Sequence, residues 1–521
     1  MQNNLIEQLV DIGEPRDQRR FAQSQTALID PAVIREMKSM ADEAVRAETP
    51  RALRIAESAL VVCGLLDDPS SLALSTRAKA QALHLMGRLD DALTAYDEAS
   101  EIFAGSGDAV ESARSWIGKI DVLLLLGRPY DALDTADQCR AIFTAHSETL
   151  LEAKVALNQG NIYQRLDRYN DALTVYRAAR QVFQTHDEQL LVALADTNMG
   201  HSYSYTAQFR RAQRSLRQAG EVYEQLGLKT ALAMNESNLG LLYGLQGRYN
   251  QALVNLSSAR SIFEEVEIPR NVATVDLDTA DIYSTLNFAS RAIDSYDAAL
   301  DTFRGLGFAS EVAKGVFGKA TVHAHMGEHQ LAETELAEAR RYFEVEDNQV
   351  YLGLVELHQA IMMHADDQDV DALEYTKASL RRFQSANLPV KVAYARLVEG
   401  ETLNALGRQD EAISDFRIAL ATGEALRLPW LLFESHAALG RAYMTSDPSQ
   451  ARAHLASAVE AVERTRRSLQ PEELKAAFLE DKQDSYAALV ALCLAEGGDD
   501  DIEEAFRYVE RSKSQALLDI L

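Results

Sequence analysis

Cysteine is nearly missing from this sequence: Cys63, Cys139 and Cys493 are the three thiols in 521 residues. No metal-ligand spacing and no disulfide framework can be written with them. Each stands among apolar or small residues, as a buried core thiol does. The expected setting is a reducing cytoplasm. Long apolar runs are also missing, since none approaches the roughly 18 residues a membrane-spanning helix needs. The opening MQNNLIEQLVDIGEPRDQRR has neither the basic start nor the apolar stretch of a signal peptide. Bases are short: Lys and Arg number 52 against 79 acids, a formal charge of −27. Such a surface repels phosphate backbones, which argues against direct nucleic-acid binding. There is no phosphate-binding loop, no metal-ligand set and no nucleophile–base pair, so neither a cofactor nor an enzyme acting alone is expected.

What the chain has in abundance is self-similarity. Alanine recurs at Ala52, Ala92, Ala132, Ala172, Ala212, Ala252, Ala292, Ala332, Ala372 and Ala412. An aromatic keeps step at Phe103, Phe143, Phe183, Tyr223, Phe263, Phe303, Phe343 and Phe383. Such a fixed period, here 40 residues, marks a repeat architecture. Within each unit, apolar residues at three- and four-residue spacing describe two amphipathic helices, as over 151–166 and 170–184. Short polar turns such as Gly87-Arg88, Gly127-Arg128 and Gly247-Arg248 join them, with glycine suited to a left-handed helix end. Asp90, Asn170, Asn250, Ser290 and Asp410 fall near the start of the second helix, where their side chains are expected to cap free N–H groups. Pro269, Pro389 and Pro429 mark the first turns of later units.

The spacing of Gly160, Tyr163, Ala172, Tyr176 and Ala179 resembles the tetratricopeptide repeat. The resemblance covers about residues 30–464. It implies an all-α solenoid: a right-handed superhelix of helical hairpins, with about 10–11 repeats of 40 residues. Two departures stand out. The unit is longer than the family's usual one, and the glycine gives way to Ala80, Ile120, Ala280, Ala320 and Ala360, which makes those units looser matches.

Three segments are expected: a capping segment at 1–29, the repeat array at 30–467, and a helical pair at 472–521. In the last, one helix should run from Pro471 to about Ala495 and another from Ile502 to Leu521. This tail carries 13 acids and 5 bases. Its run AFRYVERSKSQALLDIL resembles the segment that leads from tetratricopeptide arrays into CHAT domains, which are caspase-like peptidases. The peptidase itself would lie beyond Leu521. That resemblance implies a module controlling a CHAT protease in bacterial defence or signalling. The alternative is a freestanding scaffold or peptide-sensing regulator. Arg464, Arg466 and Arg467 form a basic run that could either end a solvated helix or dock the acidic tail.

In tetratricopeptide arrays the first helix of each unit lines the concave groove. The family pattern therefore places Asn158, Asn198, Asn238 and Asp278 there, followed by Asn161, His201 and Asp281, with Lys154 and Tyr205 nearby. A carboxamide both donates and accepts, so a ladder of them can pair with an extended peptide backbone. Asn-x-Gly-x-x-Tyr in three consecutive units (158–163, 198–203, 238–243) resembles the peptide-binding arrays of kinesin light chains. The competing reading is that these amides bond between units and hold the stack. The expected partner is a protein or peptide, neutral or basic to suit the charge, or the chain's own CHAT domain. His323, His325, His329, His358 and His364 also cluster in sequence, but His323 and His325 do not share a helix face, which argues against a metal site.

Overall fold

The computed structural model describes residues 2–470 and 472–518. Among these residues there is no strand. Two short helices, α1 (Gln2–Asp11) and α2 (Pro15–Ser24), precede eleven helical hairpins. The hairpins are α3 (Pro31–Ala47) with α4 (Thr49–Cys63), α5 (Pro69–Leu85) with α6 (Leu89–Gly105), α7 (Ala109–Leu125) with α8 (Pro129–Ala145), and α9 (Thr149–Arg165) with α10 (Tyr169–Thr185). Next come α11 (Gln189–Tyr205) with α12 (Phe209–Gln225), α13 (Lys229–Leu245) with α14 (Tyr249–Glu265), α15 (Pro269–Thr285) with α16 (Ala289–Leu306), and α17 (Ala309–His325) with α18 (His329–Val345). The last are α19 (Gln349–Ala365) with α20 (Asp369–Ser385), α21 (Pro389–Ala405) with α22 (Gln409–Leu426), and α23 (Pro429–Tyr443) with α24 (Pro448–Ser468). The chain is an all-α, tetratricopeptide-like solenoid.

The regularity has a backbone cause. A residue with positive φ stands at every twentieth position from Gly87 to Arg427. Each ends a helix by turning left-handed, and the next N–H reaches back to close the end, as Arg88 N does to Leu83 O at 3.0 Å. The next helix begins two residues after the left-handed one, as α6 begins at Leu89 after Gly87. The expected caps Asp90, Asn250, Ser290 and Asp410 accordingly lie inside the second helices, one residue past the first. The residues that do precede those helices, Arg88, Arg248, Phe288 and Arg408, make no side-chain cap. Side-chain caps occur instead at Asp30, Asp68, Asp108, Asn348 and Asp447.

The repeat alanines are the points of closest approach, and Ala92, Ala132, Ala172, Ala212, Ala252, Ala292, Ala332, Ala372 and Ala412 are all fully buried. The aromatics fill the space between neighbouring hairpins, with Phe143, Phe183, Phe303, Phe343 and Phe383 at 0% exposure. The glycine position answers to the residue sixteen later. A Cβ at Gly160 would lie 2.2 Å from the Tyr176 ring, and one at Gly200 or Gly240 would strike Leu216 or Leu256. Where Ile120 replaces the glycine, the residue sixteen later is Ala136, and both are buried.

Contacts divide the chain into two compact units. One holds Met1–Arg165 and Thr174–Glu188; the other holds Leu166–Leu173 and Gln189–Leu521. In the first, Ile6, Leu9, Ala22 and Leu28 pack with Val33, Ile34, Ala56 and Val62, which joins α1 and α2 to the first hairpin. Gln18 Nε2 completes the joint by donating to Ser58 Oγ at 2.9 Å.

The second unit curls tightly enough to touch itself five hairpins further along. Asn348 Nδ2 donates to Asp167 Oδ2 at 2.8 Å across 181 residues, and Asn170 Nδ2 donates to Ala386 O at 3.2 Å. Pro429 packs against Gly247, and Asn250 binds the backbone at Ser468 and Gln470. Tyr249, Leu286, Phe433, Leu469 and Phe478 share the core at this seam.

The tail is α25 (Glu472–Leu479), a 3-10 turn at Glu480–Lys482, α26 (Gln483–Glu496) and α27 (Asp499–Leu518). The single helix expected over 471–495 is thus broken at Glu480–Lys482, where Lys482 turns inward and stacks over Phe478 and Phe433 at 4.5 and 5.7 Å. Pro471 and the last three residues lie outside the described residues. Among the described residues the acidic tail pairs with Arg452, which meets Asp501 at 2.8 Å and Glu504 at 2.6 Å. In the run considered for that role, Arg464 pairs with Glu460 on its own helix, Arg467 donates to Glu463 O, and Arg466 is buried.

Candidate functional site

The first helices of the second unit, from α11 to α23, turn one side inward. Where an array of these helices curls on itself, side chains that would lie in an open groove become enclosed without being packed into the core. This interior gathers groups far apart in sequence. Asp167, only 3% exposed, accepts from Asn348 and from Tyr169 OH, and Lys314 Nζ lies 4.0 Å from its Oδ2. Tyr169 stacks on Tyr205 with centroids 4.6 Å apart, and His201 leans on both rings. Lys314 Nζ sits 5.0 Å from the Tyr351 ring centre. An aromatic chain continues from His358 to Tyr394 at 6.4 Å and from Tyr394 to Trp430 at 5.9 Å.

Charge in this enclosure is perturbed in the direction burial requires. Enclosure, reinforced by the neighbouring Asp281 and opposed by Lys314, pushes the Asp278 carboxyl up to about 8. Asp281 is raised by enclosure too, although it accepts from Tyr296 OH at 2.5 Å and feels Lys391. Lys391 is lowered, again by enclosure first, with Asp167 and Asp281 opposing. His201 and His358 fall to about 4 by the same desolvation. Glu434 rises to about 7. Asp281 nevertheless keeps an exposed surface, and Asp278 and Lys391 are half-buried. Shielding by surrounding protein and contact with solvent coexist here because the interior is a lined groove.

Of the groove residues expected from sequence, Asn198, His201, Tyr205, Asn238, Asp278 and Asp281 belong to this unit, and His201, Tyr205, Asp278 and Asp281 are drawn into one electrostatic neighbourhood. Lys154, Asn158 and Asn161 belong to the other unit. There Asn158 Nδ2 reaches Ile117 O at 3.5 Å, and Asn161 Oδ1 accepts from Tyr176 OH at 2.7 Å. The same tyrosine–acceptor pairing recurs at Tyr296 and Asp281. Part of the ladder therefore ties the two helices of a hairpin together.

Asn238, Asp278 and Lys391 differ: among the described residues, none makes a hydrogen bond or ion pair. Sequence reasoning missed Lys314, Tyr351, Lys391, Tyr394, Trp430 and Glu434. Carrying the register forward would have found several of them. Lys314, Tyr394 and Glu434 occupy the Lys154 position of later units, and His358 occupies the Asn158 position. The other histidines are dispersed among acids: His323 on Glu335 at 2.7 Å, His329 on Asp366 at 3.3 Å and His364 on Asp369 at 2.5 Å. No group of three metal-ligating side chains occurs among the described residues. None of the described helices is long and apolar enough to cross a membrane.

No protein-family model matches the sequence, and no curated protein matches it. Among solved structures, the chain is similar to a Rap protein complexed with Competence and Sporulation Factor, at 15% identity and TM-score 0.56, over 69% of this chain and 99% of that one. Weaker likenesses are to the Rap conjugation gene regulator of plasmid pLS20 in complex with the Phr* peptide (12% identity, TM-score 0.46, 68% of this chain and 96% of that one) and to the Cut9-Hcn1 hetero-tetramer (12%, 0.46, 87% and 95%). The likeness to the first Rap protein is one of fold: a stack of tetratricopeptide-like helical hairpins.

Proposed function

We propose that this chain is a binding module whose inner face holds an extended segment of a protein or a peptide, and that it regulates by binding rather than by catalysis. The observation that carries the reading is the set of groove-side polar groups, Asn238, Asp278 and Lys391, that make no hydrogen bond or ion pair among the described residues. Buried and half-buried polar groups are ordinarily satisfied. The stack itself is held by the alanines and aromatics of the hairpins, so these side chains are available for a ligand. The Rap likeness supports the reading to the extent that a stack of this kind is known with a bound factor. The formal charge of −27 favours a neutral or basic segment.

Replacing Asn158, Asn198 and Asn238 together with Ala should abolish partner capture while helicity and melting stay nearly unchanged. Capture equal to wild type would assign the ladder to the stack, as would collapse of the variant. The tail supports a finer reading in which the regulated partner is a CHAT-type caspase-like protease. It rests on the run from Ala505 alone, and sequencing past Leu521 tests it.

A further inference from the structure

The seam of the second unit pairs two kinds of edge. On one side are turns within hairpins, at Asp167, Asn170 and Gly247; on the other are links between hairpins, at Asn348, Ala386 and Pro429. A hairpin has an edge of each kind, one at each end of its helices, and the seam takes one apiece. Among the described residues this leaves two edges of the second unit outside the seam: the links α12–α13, α14–α15 and α16–α17, and the turns α17–α18, α19–α20 and α21–α22. Burial marks the difference. Asp167, Ala207 and Gly247 are buried, whereas Gly327, Asp367 and Gly407 at the same register are exposed. On the link side of the seam, Leu388 and Leu428 are 1% and 0% exposed. Leu228, Ile268 and Phe308 at that register are only half-buried, and Leu226, Val266 and Leu306 beside them are 48%, 36% and 45% exposed.

The residue types at these exposed links are those of a covered surface. In the three preceding links the same two positions hold Ser106 and Asp108, His146 and Glu148, and His186 and Glu188, all polar. In the links from α12 to α17 all six are apolar. An apolar row that is exposed and in register over consecutive hairpins marks an interaction surface. Its counterpart is in the same chain, where the turn edge exposes Met326, Leu331, Val370 and Leu406. The two edges lie a helix length beyond the seam, on opposite sides of it. One chain cannot bring them together, but two copies can. We propose that copies of this chain associate head to tail, the links of α12–α17 in one copy docking on the turns of α17–α22 in the next, so that the seam within a molecule is repeated between molecules.

Because the two surfaces differ, the association is heterologous and open-ended. Charge opposes the pairing of like turn edges, which carry Glu328, Asp366, Asp367 and Asp369. The link edge instead mixes Lys229, Arg270 and Arg304 with Glu265 and Glu267. The contact between molecules is weaker than the seam, since His329, Asp369 and Gln409 stand where Tyr169, Phe209 and Tyr249 are buried within it. Association is therefore reversible on dilution.

Sedimentation velocity of the full chain, from micromolar to near-millimolar concentration, tests this. Wild type should form a concentration-dependent series that grows past the dimer. Leu226→Glu/Leu306→Glu on the link edge and Met326→Glu/Val370→Glu on the turn edge should each stay monomeric. A mixture of the two variants should form dimers and nothing larger, since each keeps one intact edge and the edges are complementary. All four positions are exposed, so circular dichroism and melting should match wild type. Val266→Lys and Leu406→Lys repeat the test with single substitutions of opposite charge. A wild type that is monomeric throughout overturns the proposal. So does association that neither variant abolishes, and so does a mixture that stays monomeric. Association that only one of the two variants abolishes assigns pairing of like edges and overturns it as well.

Discussion

Asn250 grips the chain at Ser468 and Gln470 with both ends of one carboxamide. Its Nδ2 donates to the Ser468 carbonyl, and its Oδ1 accepts the Gln470 N–H at 3.0 Å, across 218 and 220 residues. The clasp joins the first turn of α14 to the point where the last repeat helix gives way to the tail. Asn250→Ala removes both bonds and leaves a backbone N–H and C=O to find water. The expected cost is about 1–2 kcal/mol. Because the clasp joins one turn to one segment, the loss should show as faster hydrogen exchange over 469–479 and earlier proteolysis near Glu472. Unaltered exchange there would show that the apolar seam of Tyr249, Leu469 and Phe478 holds the tail alone.

Gly160 and Tyr176 test how the hairpins close. A methyl group on Gly160 would overlap the Tyr176 ring at 2.2 Å, and Gly160→Ala should cost about 1–3 kcal/mol by overpacking. In a Tyr176→Ala background the same methyl group meets a gap, and the substitution should be nearly neutral. That non-additivity, read from a urea double-mutant cycle, is the expected signature of direct contact. Additive effects would mean that the backbone shifts to absorb the clash.

The left-handed helix ends give a prediction of opposite sign at two sites. Glu267 is exposed with φ 55°, and Gly227 has φ 67° with nothing within 4 Å of an added Cβ. Glu267→Gly relieves left-handed strain and should gain about 0.5–1 kcal/mol. Gly227→Ala adds that strain and should lose about 1 kcal/mol. Urea midpoints measure both. Shifts of the same sign would show that side-chain contacts, and not φ, set the preference at these ends.

The period, the paired helices and the alanine contacts were legible because each rests on local sequence: amphipathic spacing, small residues in register and turn glycines. The reading of Ala80 and Ala280 as looser matches was incomplete. Tyr96 and Tyr296 lean forward over Gly118 and Gly318, whereas Tyr176, facing Asn198 at the corresponding place, leans back over Gly160. The small residue has moved two places, and the contact is kept. What local sequence could not reveal is the seam. Asn170 and Asn250 look like helix caps until the chain five hairpins later lies beside them, and the curl that brings it there is the sum of many small rotations. The same curl turns an open groove into an enclosure, so Asp278 and Lys391 became candidates only when burial was known.

Asp278 gives the last prediction, because its enclosure makes stability depend on pH in a direction opposite to that of the usual salt-bridged carboxylate. Its ordinary value of 3.8 is raised to about 8, by desolvation first and by Asp281 second, against the pull of Lys314. In the unfolded chain the carboxyl ionises near pH 4, whereas in the folded chain it holds its proton until about pH 8. Between those limits the folded state binds more protons than the unfolded state, so stability falls as pH rises through the window. Above it both states are ionised, and the full penalty is in place. Asp278→Asn removes the titration while keeping the shape. The variant's advantage over wild type should therefore be small at pH 5, larger at pH 7 and largest at pH 9, as read from paired urea midpoints. His201 and His358, held near 4, act in the reverse sense, since their contribution is lost as pH falls below about 6.5. Both are present in wild type and variant alike, so their effect cancels in the difference. An advantage that stays constant from pH 5 to pH 9 would show that Asp278 is solvated.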